Sequence, residues 1–158
     1  MILVASDSAA AGTRVDASGK CAAQMMQDNG YIVIGVEILP DDREALSGKM
    51  AAIADEGRAD LILTSGGTGF SARDITPEAT EDVIERRVPG VPEAIRSYSA
   101  QFTGRAMLSR GTAGIRKRTL IINLPGSPKA VKESLEAVLP ALGHGIDILT
   151  GDAVNCAR

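Results

Sequence analysis

Tryptophan is absent from this chain of 158 residues, and aromatic residues make up only 3% of it. Stacking of bases on aromatic side chains, the usual grip on single-stranded nucleic acid, is therefore excluded as a main binding mode. Histidine occurs once, at His144, and cysteine twice, at Cys21 and Cys156. No CxxC pair and no accompanying histidine pattern exists, so neither a zinc site nor a disulfide framework is indicated. The formal net charge is −3, which argues against broad electrostatic attraction to DNA, RNA or anionic membranes. One tight basic run, Arg116-Lys117-Arg118, reads as a solvated strand edge. No apolar stretch is long enough to cross a bilayer. Residues 1–5 lack the basic n-region and long h-region of a signal peptide, so the expected location is cytoplasmic.

What the chain does contain is ordinary globular composition, 44% hydrophobic and 23% charged, with 17 glycines gathered in clusters. Its length suits one domain over residues 1–158. Short apolar runs alternate with helical patterns. Strands are expected at residues 2–5, 32–38, 61–64 and 120–124, and helices at 18–29, 43–56, 78–87, 92–102 and 127–142. The helix at 43–56 aligns Leu46, Met50, Ile53 and Ala54 on one face. The helix at 92–102 aligns Ile95, Tyr98 and Phe102. The last helix aligns Val131, Leu135, Val138, Leu139 and Leu142, with His144 following it as a capping or surface residue. Cys21 falls on the apolar side of its helix and is expected in the core. Residues 103–118 read as either a short hairpin or an irregular loop. Strands alternating with helices imply βαβ units and right-handed crossovers. The expected fold class is therefore α/β, a three-layer αβα arrangement around a mostly parallel sheet.

Ligands of such sheets bind beyond the carboxyl ends of the strands, and four strands end in distinctive loops. The first runs into Ser6-Asp7-Ser8 and a string of small residues. The second ends in Leu39-Pro40-Asp41-Asp42, where either aspartate suits a helix N-cap. The third ends in Thr64-Ser65-Gly66-Gly67-Thr68-Gly69, a cradle whose backbone N–H groups can approach an anion without a Cβ in the way. Asp74 follows, and a carboxylate beside a phosphate calls for a cation, ordinarily Mg²⁺, between them. The fourth ends in Asn123-Leu124-Pro125-Gly126-Ser127-Pro128-Lys129, with Ser127 as N-cap and Pro128 at the first helical position. Lys129 lies against the helix dipole, which suits an anion at that end. Gly67, Gly69 and Ala72 meet only the loosest dinucleotide pattern. Gly19-Lys20-Cys21 is not a Walker A sequence.

Taken together, these segments resemble the MogA/MoaB family of molybdenum-cofactor biosynthesis proteins, which includes the G domains of gephyrin and of a plant relative. The resemblance spans essentially the whole chain. It rests on residues 64–80, residues 107–116, residues 120–130, and on Ser6-Asp7 and Leu39-Pro40-Asp41-Asp42. It implies the same three-layer fold, a homotrimer, and binding of molybdopterin, a pterin with a dithiolene and a terminal phosphate. In the adenylylating branch, which the Arg73-Asp74-Ile75-Thr76-Pro77 stretch resembles, Mg-ATP and molybdopterin give adenylyl-molybdopterin and pyrophosphate. That product then passes to a molybdenum insertase. The resemblance implies Asp41 and Asp74 as catalytic and Mg²⁺-binding carboxylates. It also implies Ser6, Asp7, Ser65, Gly66, Gly67, Thr68, Gly69, Ser99, Ser109, Arg110, Pro125, Gly126 and Ser127 as substrate- or nucleotide-binding residues. Glu78 is implied as a supporting acid or a favourable first-turn charge. The alternative within the family is a MoaB-like carrier that binds molybdopterin with little or no turnover.

Overall fold

The computed structural model describes residues 1–151. Six strands, β1 (Ile2–Ala5), β2 (Val36–Leu39), β3 (Leu61–Ser65), β4 (Arg86–Arg87), β5 (Ala113–Arg116) and β6 (Thr119–Leu124), form one sheet. Their order is β2-β1-β3-β6-β5-β4. The first four in that order run parallel, while β5 returns antiparallel to β6 and β4 antiparallel to β5. Successive side chains of a strand face opposite sides, and here each side has its own helices. Ile2, Val4, Leu61, Leu63, Leu120, Ile122 and Leu124 meet Ala22, Met26, Ile95, Val131, Leu135, Val138 and Leu142. These come from α2 (Ser18–Asp28), α5 (Gly90–Ala100) and α6 (Pro128–Thr150). Leu3, Ala5, Ile62 and Ile121 meet Leu46, Met50, Ile53 and Ala79 on the other side. Those belong to α3 (Arg43–Asp55) and α4 (Thr76–Glu81). The result is the expected αβα sandwich. β1, β3 and β6 are buried along their whole length, as parallel strands covered on both faces must be.

Several expected boundaries move, each for a physical reason. The second strand starts at Val36 and not Ile32, because the register Ile2↔Val36 leaves residues before 35 with no neighbour on β1. Ile32 is accordingly 89% exposed. The helix expected at 78–87 stops at Glu81. Arg86 and Arg87 instead pair with Ile115 and Gly114, and a Cβ on Gly114 would collide with Ile84. The ambiguous 103–118 segment resolves into a 3₁₀ turn (Gly104–Leu108) and then β5, which makes a hairpin with β6. Lys117, at φ 52°, turns that hairpin. The basic run thus sits at the end of the sheet away from the strand termini discussed below. Arg116 pairs with Asp55 and Lys117 with Glu85. The last helix continues two turns past Leu142, so His144 lies within α6 and does not follow it. Burial of Leu142, Ile146 and Leu149 against the core outweighs the roughly 1 kcal/mol that each helical glycine costs, and Gly151 at φ 84° caps the end. Phe102 falls beyond α5, yet its ring still packs on Tyr98 with centroids 5.4 Å apart. Cys21 is half-buried, its Sγ 3.5 Å from the Pro128 carbonyl; Cys156 lies outside the described residues.

A short α1 (Asp7–Ala10), capped by Ser6, follows β1 directly. Beneath the strand ends lies a buried polar knot centred on Asn123 of β6. Its Nδ2 donates to Thr64 Oγ1 at 2.9 Å and Thr80 Oγ1 at 2.8 Å, and its Oδ1 accepts from Thr112 N at 3.1 Å. Thr80 Oγ1 donates onward to the Thr76 carbonyl. One amide therefore ties β6 to β3, to α4 and to the segment leading into β5. Asn123→Ala leaves several buried polar groups unpaired, each costing about 1–3 kcal/mol. Urea unfolding should show a loss of at least about 2 kcal/mol; a loss below about 0.5 kcal/mol would contradict this role.

Candidate active site

The order in which strands are added reverses at β1: the crossover from β1 leads outward to β2, and the one from β2 leads back past β1 to the parallel strand β3. Such a switch point opens a crevice at the carboxyl ends of the strands. The loops after β1, β2, β3 and β6 all meet there. Gly66 (φ 100°) passes so close to Ala5 that any Cβ would strike the Ala5 carbonyl oxygen, and Gly126 packs on the Gly66 Cα. Gly67 (φ 62°) has no room for a Cβ against Thr76 Oγ1, and Asp41 Oδ1 lies 3.4 Å from where that atom would sit. A Cβ on Gly69 would stand 2.9 Å from Asp74 Oδ2. The glycine loop is thus threaded between backbone and two carboxylates.

The adjacent aspartates of the second loop divide their work. Asp42 is the N-cap of α3, accepting from Ala45 N at 2.8 Å. Asp41 is thereby left to the crevice, where Asp41 Oδ2 accepts from Asp7 N at 2.9 Å and Asp7 Oδ1 accepts from Asp41 N at 3.0 Å. This reciprocal pair joins the first and second loops. Arg73 joins the third: its Nε and Nη2 donate to Asp7 Oδ2 at 3.0 and 2.7 Å. The Arg73 hydrogen bond, then the backbone N–H of Asp41, hold the Asp7 carboxyl below the usual aspartate range. Asp74 Oδ2 accepts from Ser71 N at 2.8 Å. Arg110 staples the same loop from outside, donating to Gly69 O at 2.7 Å, to Asp74 O and to Glu78. Burial pushes the Glu78 carboxyl up, but the Arg110 hydrogen bond and charge more than offset this, leaving it below its usual value.

Two cavities open on either side of this loop. The smaller, about 200 Å³, is lined by Ser6, Arg14, Asp16, Asp41, Ser65, Gly66, Gly67, Asp74 and Gly126 among others. The larger, about 380 Å³, is lined by Thr68, Gly69, Ser99, Ser109, Pro125, Glu133 and apolar groups including Phe70, Ile95 and Leu108. The larger falls within the size of small-molecule sites, about 300–1,000 Å³, and the smaller below it. Of the residues expected at the site, Ser6, Ser65, Gly66, Gly67, Gly126, Asp41 and Asp74 line the smaller cavity, and Thr68, Gly69, Ser99, Ser109 and Pro125 the larger. Three stand outside both linings. Asp7 braces loops, Arg110 staples the third loop and lines a separate surface hollow, and Ser127 caps α6 by accepting from Ala130 N.

Residues the sequence did not single out also line the cavities: Arg14 and Asp16 in the smaller, Arg96, Glu133 and Ser134 in the larger. The Glu133 signal was present in outline. Ala130, Glu133 and Ser134 form a small and polar stripe beside the apolar stripe of α6, at helical spacing. Among the described residues no cluster of three or more His, Cys, Asp or Glu side chains has metal-binding geometry.

A carboxyl held below its usual value by a folded-state partner favours the fold above that value. The contribution disappears as pH falls through the folded-state value. Asp7→Asn should therefore flatten the loss of stability on acidification below about pH 4, compared with the unaltered protein, in thermal melts. Parallel acid profiles for the two proteins would contradict the brace. Gly67→Ala, at positive φ and against Thr76, should lower stability by about 1–3 kcal/mol; an unchanged melting temperature would contradict the packing described.

Residues 1–144 match the family described as "Probable molybdopterin binding domain". A molybdopterin adenylyltransferase of Helicobacter pylori is 42% identical over 155 residues, covering 96% of this chain and 87% of that protein. A molybdenum cofactor biosynthesis bifunctional protein of Chlorobaculum tepidum is 39% identical over 96% of this chain, which spans 48% of that relative. The crystal structure of the molybdopterin biosynthesis enzyme MoaB from Thermus thermophilus superposes with a TM-score of 0.89 at 45% identity, covering 95% of this chain and 94% of that one. Whole-chain identity of this order and a shared six-stranded fold agree with the crevice and its loops: the chain belongs to the molybdopterin-binding domain family of molybdenum-cofactor biosynthesis proteins.

Proposed function

We propose that this protein is a molybdopterin adenylyltransferase, with ATP in the smaller cavity and molybdopterin in the larger. The observation that carries the reading is the pair of cavities divided by one glycine loop, with Asp41 and Asp74 beside that loop. Full-length similarity to a named adenylyltransferase supports it. In the reaction an oxygen of the molybdopterin phosphate forms a bond to the α-phosphorus of ATP. The bond from that phosphorus to the β-bridging oxygen breaks, and its electron pair leaves with pyrophosphate. The protein supplies no nucleophile.

Both reactants are anions, so placement and charge control are the whole of the protein's contribution. In this reading backbone N–H groups of the loop from Gly67 to Gly69 would meet phosphate oxygens at the junction of the two cavities, the Gly66 N–H being already donated to the Leu124 carbonyl. Arg14, on the wall of the smaller cavity, adds positive charge there. Mg²⁺ suits this donor set, since it is ordinarily held by one or two carboxylates together with substrate phosphates; Asp41 and Asp74 would hold it, and it would neutralise charge on the triphosphate. Arg73 and Arg110 keep both carboxylate loops in place without entering either cavity.

The broader setting follows from the same reading: a homotrimer in the cytoplasm, passing adenylyl-molybdopterin to a molybdenum insertase. The bifunctional relative, twice as long as this chain, supports a nearby second activity. Among the described residues no helix is long and apolar enough to cross a membrane.

Pyrophosphate release from Mg-ATP and purified molybdopterin tests the reading. Asp74→Asn and Asp41→Asn should each lower turnover by about 10²-fold or more while leaving molybdopterin binding intact. Wild-type protein that binds molybdopterin yet releases no pyrophosphate would overturn the catalytic reading in favour of a carrier.

A further inference from the structure

Glu133 is an anomaly in the larger cavity. It sits on α6, one helical turn past Lys129, and only 8% of its surface is exposed. Its side chain is largely covered while its oxygens remain open to the cavity, so donors for them have to come from that space. Its sole charged partner among the described residues is Lys129 Nζ, 4.0 Å away on a side chain 84% exposed. That contact is too long for a hydrogen bond and too solvated to hold a charge in place. The Glu133 oxygens are not sealed in the core either: the residue lines the cavity together with Ser99, Ser134 and Thr68. Ser134 Oγ is already committed to the Ala130 carbonyl. Phe70, Ile95 and Leu108 form apolar walls around the same space. A flat ring fits those walls, and the acid fits a ring edge that carries donors.

We infer that Glu133 is the specificity-determining residue of the larger cavity, its carboxylate accepting two hydrogen bonds from the aminopyrimidinone edge of the pterin. This rests on the assignment of molybdopterin to that cavity. In a 2-amino-4-oxopterin the 2-amino group and N3–H are neighbouring donors pointing the same way, the complement of a carboxylate's two oxygens. Adenine offers one donor beside a ring-nitrogen lone pair, so a carboxylate accepts from one and repels the other. Glu133 thereby does two things: it orients the pterin with its phosphate side toward the glycine loop, and it keeps adenine out of the pterin's place. A site that discriminates by leaving a buried polar group unpaired rejects the wrong ligand far more strongly than an apolar pocket does. With two chemically similar flat rings to sort between adjacent cavities, that form of rejection is what the reaction requires.

The experiment is a fluorescence titration with two phosphate-free probes, 6-hydroxymethylpterin and 6-hydroxymethyllumazine, which has an oxo group where the pterin has its 2-amino group. ATP and molybdopterin binding are measured alongside. Wild-type protein should bind the pterin at least about tenfold more tightly than the lumazine, the loss of one charge-assisted hydrogen bond. In Glu133→Gln, which keeps the side-chain shape but whose amide can accept from N3–H while donating to the lumazine 2-oxo group, that ratio should fall to one or below, with ATP affinity unchanged. Lys129→Ala should leave the ratio at its wild-type value, since the exposed lysine takes no part in reading the ring. A Glu133→Gln protein that keeps the wild-type ratio would overturn the inference while leaving the functional reading in place. Wild-type protein that binds neither molybdopterin nor the pterin would overturn the functional reading and the inference with it.

Discussion

The anchoring of Asp7, Asp41 and Asp74 at the strand ends by fixed donors is the constraint around which these loops are organised. Three carboxylates gathered at one edge of a sheet repel each other and any incoming phosphate. The fold answers with fixed donors. Asp7 and Asp41 each accept the other's backbone N–H, Arg73 reaches across from the third loop to Asp7, and Ser71 N is aimed at Asp74. Asp7 and Asp41 each have a donor on a neighbouring loop, and Asp74 has one within its own, so stabilising the charges and fixing the loops are one act. The glycines complete the arrangement. At 66, 67 and 69 a side chain would displace the Ala5 carbonyl, Thr76 or the Asp74 carboxylate, so the loop's small residues are a consequence of where the acids stand.

Support for these loops comes from below and from outside. Asn123 links the central strands to α4 directly under the glycine loop, and Thr80 passes the connection to Thr76. Arg110 pins Gly69 and Asp74 from the flank. A reaction between two anions gains from geometry fixed before the substrates arrive, because no free energy is then spent on reorganising charge during the step. The two cavities lie on either side of this fixed loop, where the proposed reaction would bring its two phosphates together.

Much of this was legible in the sequence because it is carried by local rules. The short continuous apolar runs of β1, β3 and β6, the Ser127-Pro128 helix start, and the glycine run after a buried strand are all short-range signals. Asp41 and Asp74 were legible through the family resemblance. The roles of Asp7 and Arg110 were not, because bracing depends on partners 34 to 66 residues away in the chain. The same holds for the end of α4: the pairing of Arg86 and Arg87 with β5 is a long-range contact that overrides a reasonable helical pattern. The extension of α6 through Gly143 and Gly145 shows burial overriding propensity. Glu133 was hidden because its neighbours on α6, Val131 and Leu135, form the apolar stripe that draws attention first.

The proposed reaction joins the α-phosphorus of ATP to the phosphate of molybdopterin in the crevice. The most direct measurement follows radiolabel from ATP into molybdopterin, using α-labelled and γ-labelled nucleotide in parallel. Adenylyl transfer puts α-label in the molybdopterin product and γ-label only in pyrophosphate. Transfer of γ-label to molybdopterin, or no transfer of α-label from a protein that binds both substrates, would contradict it.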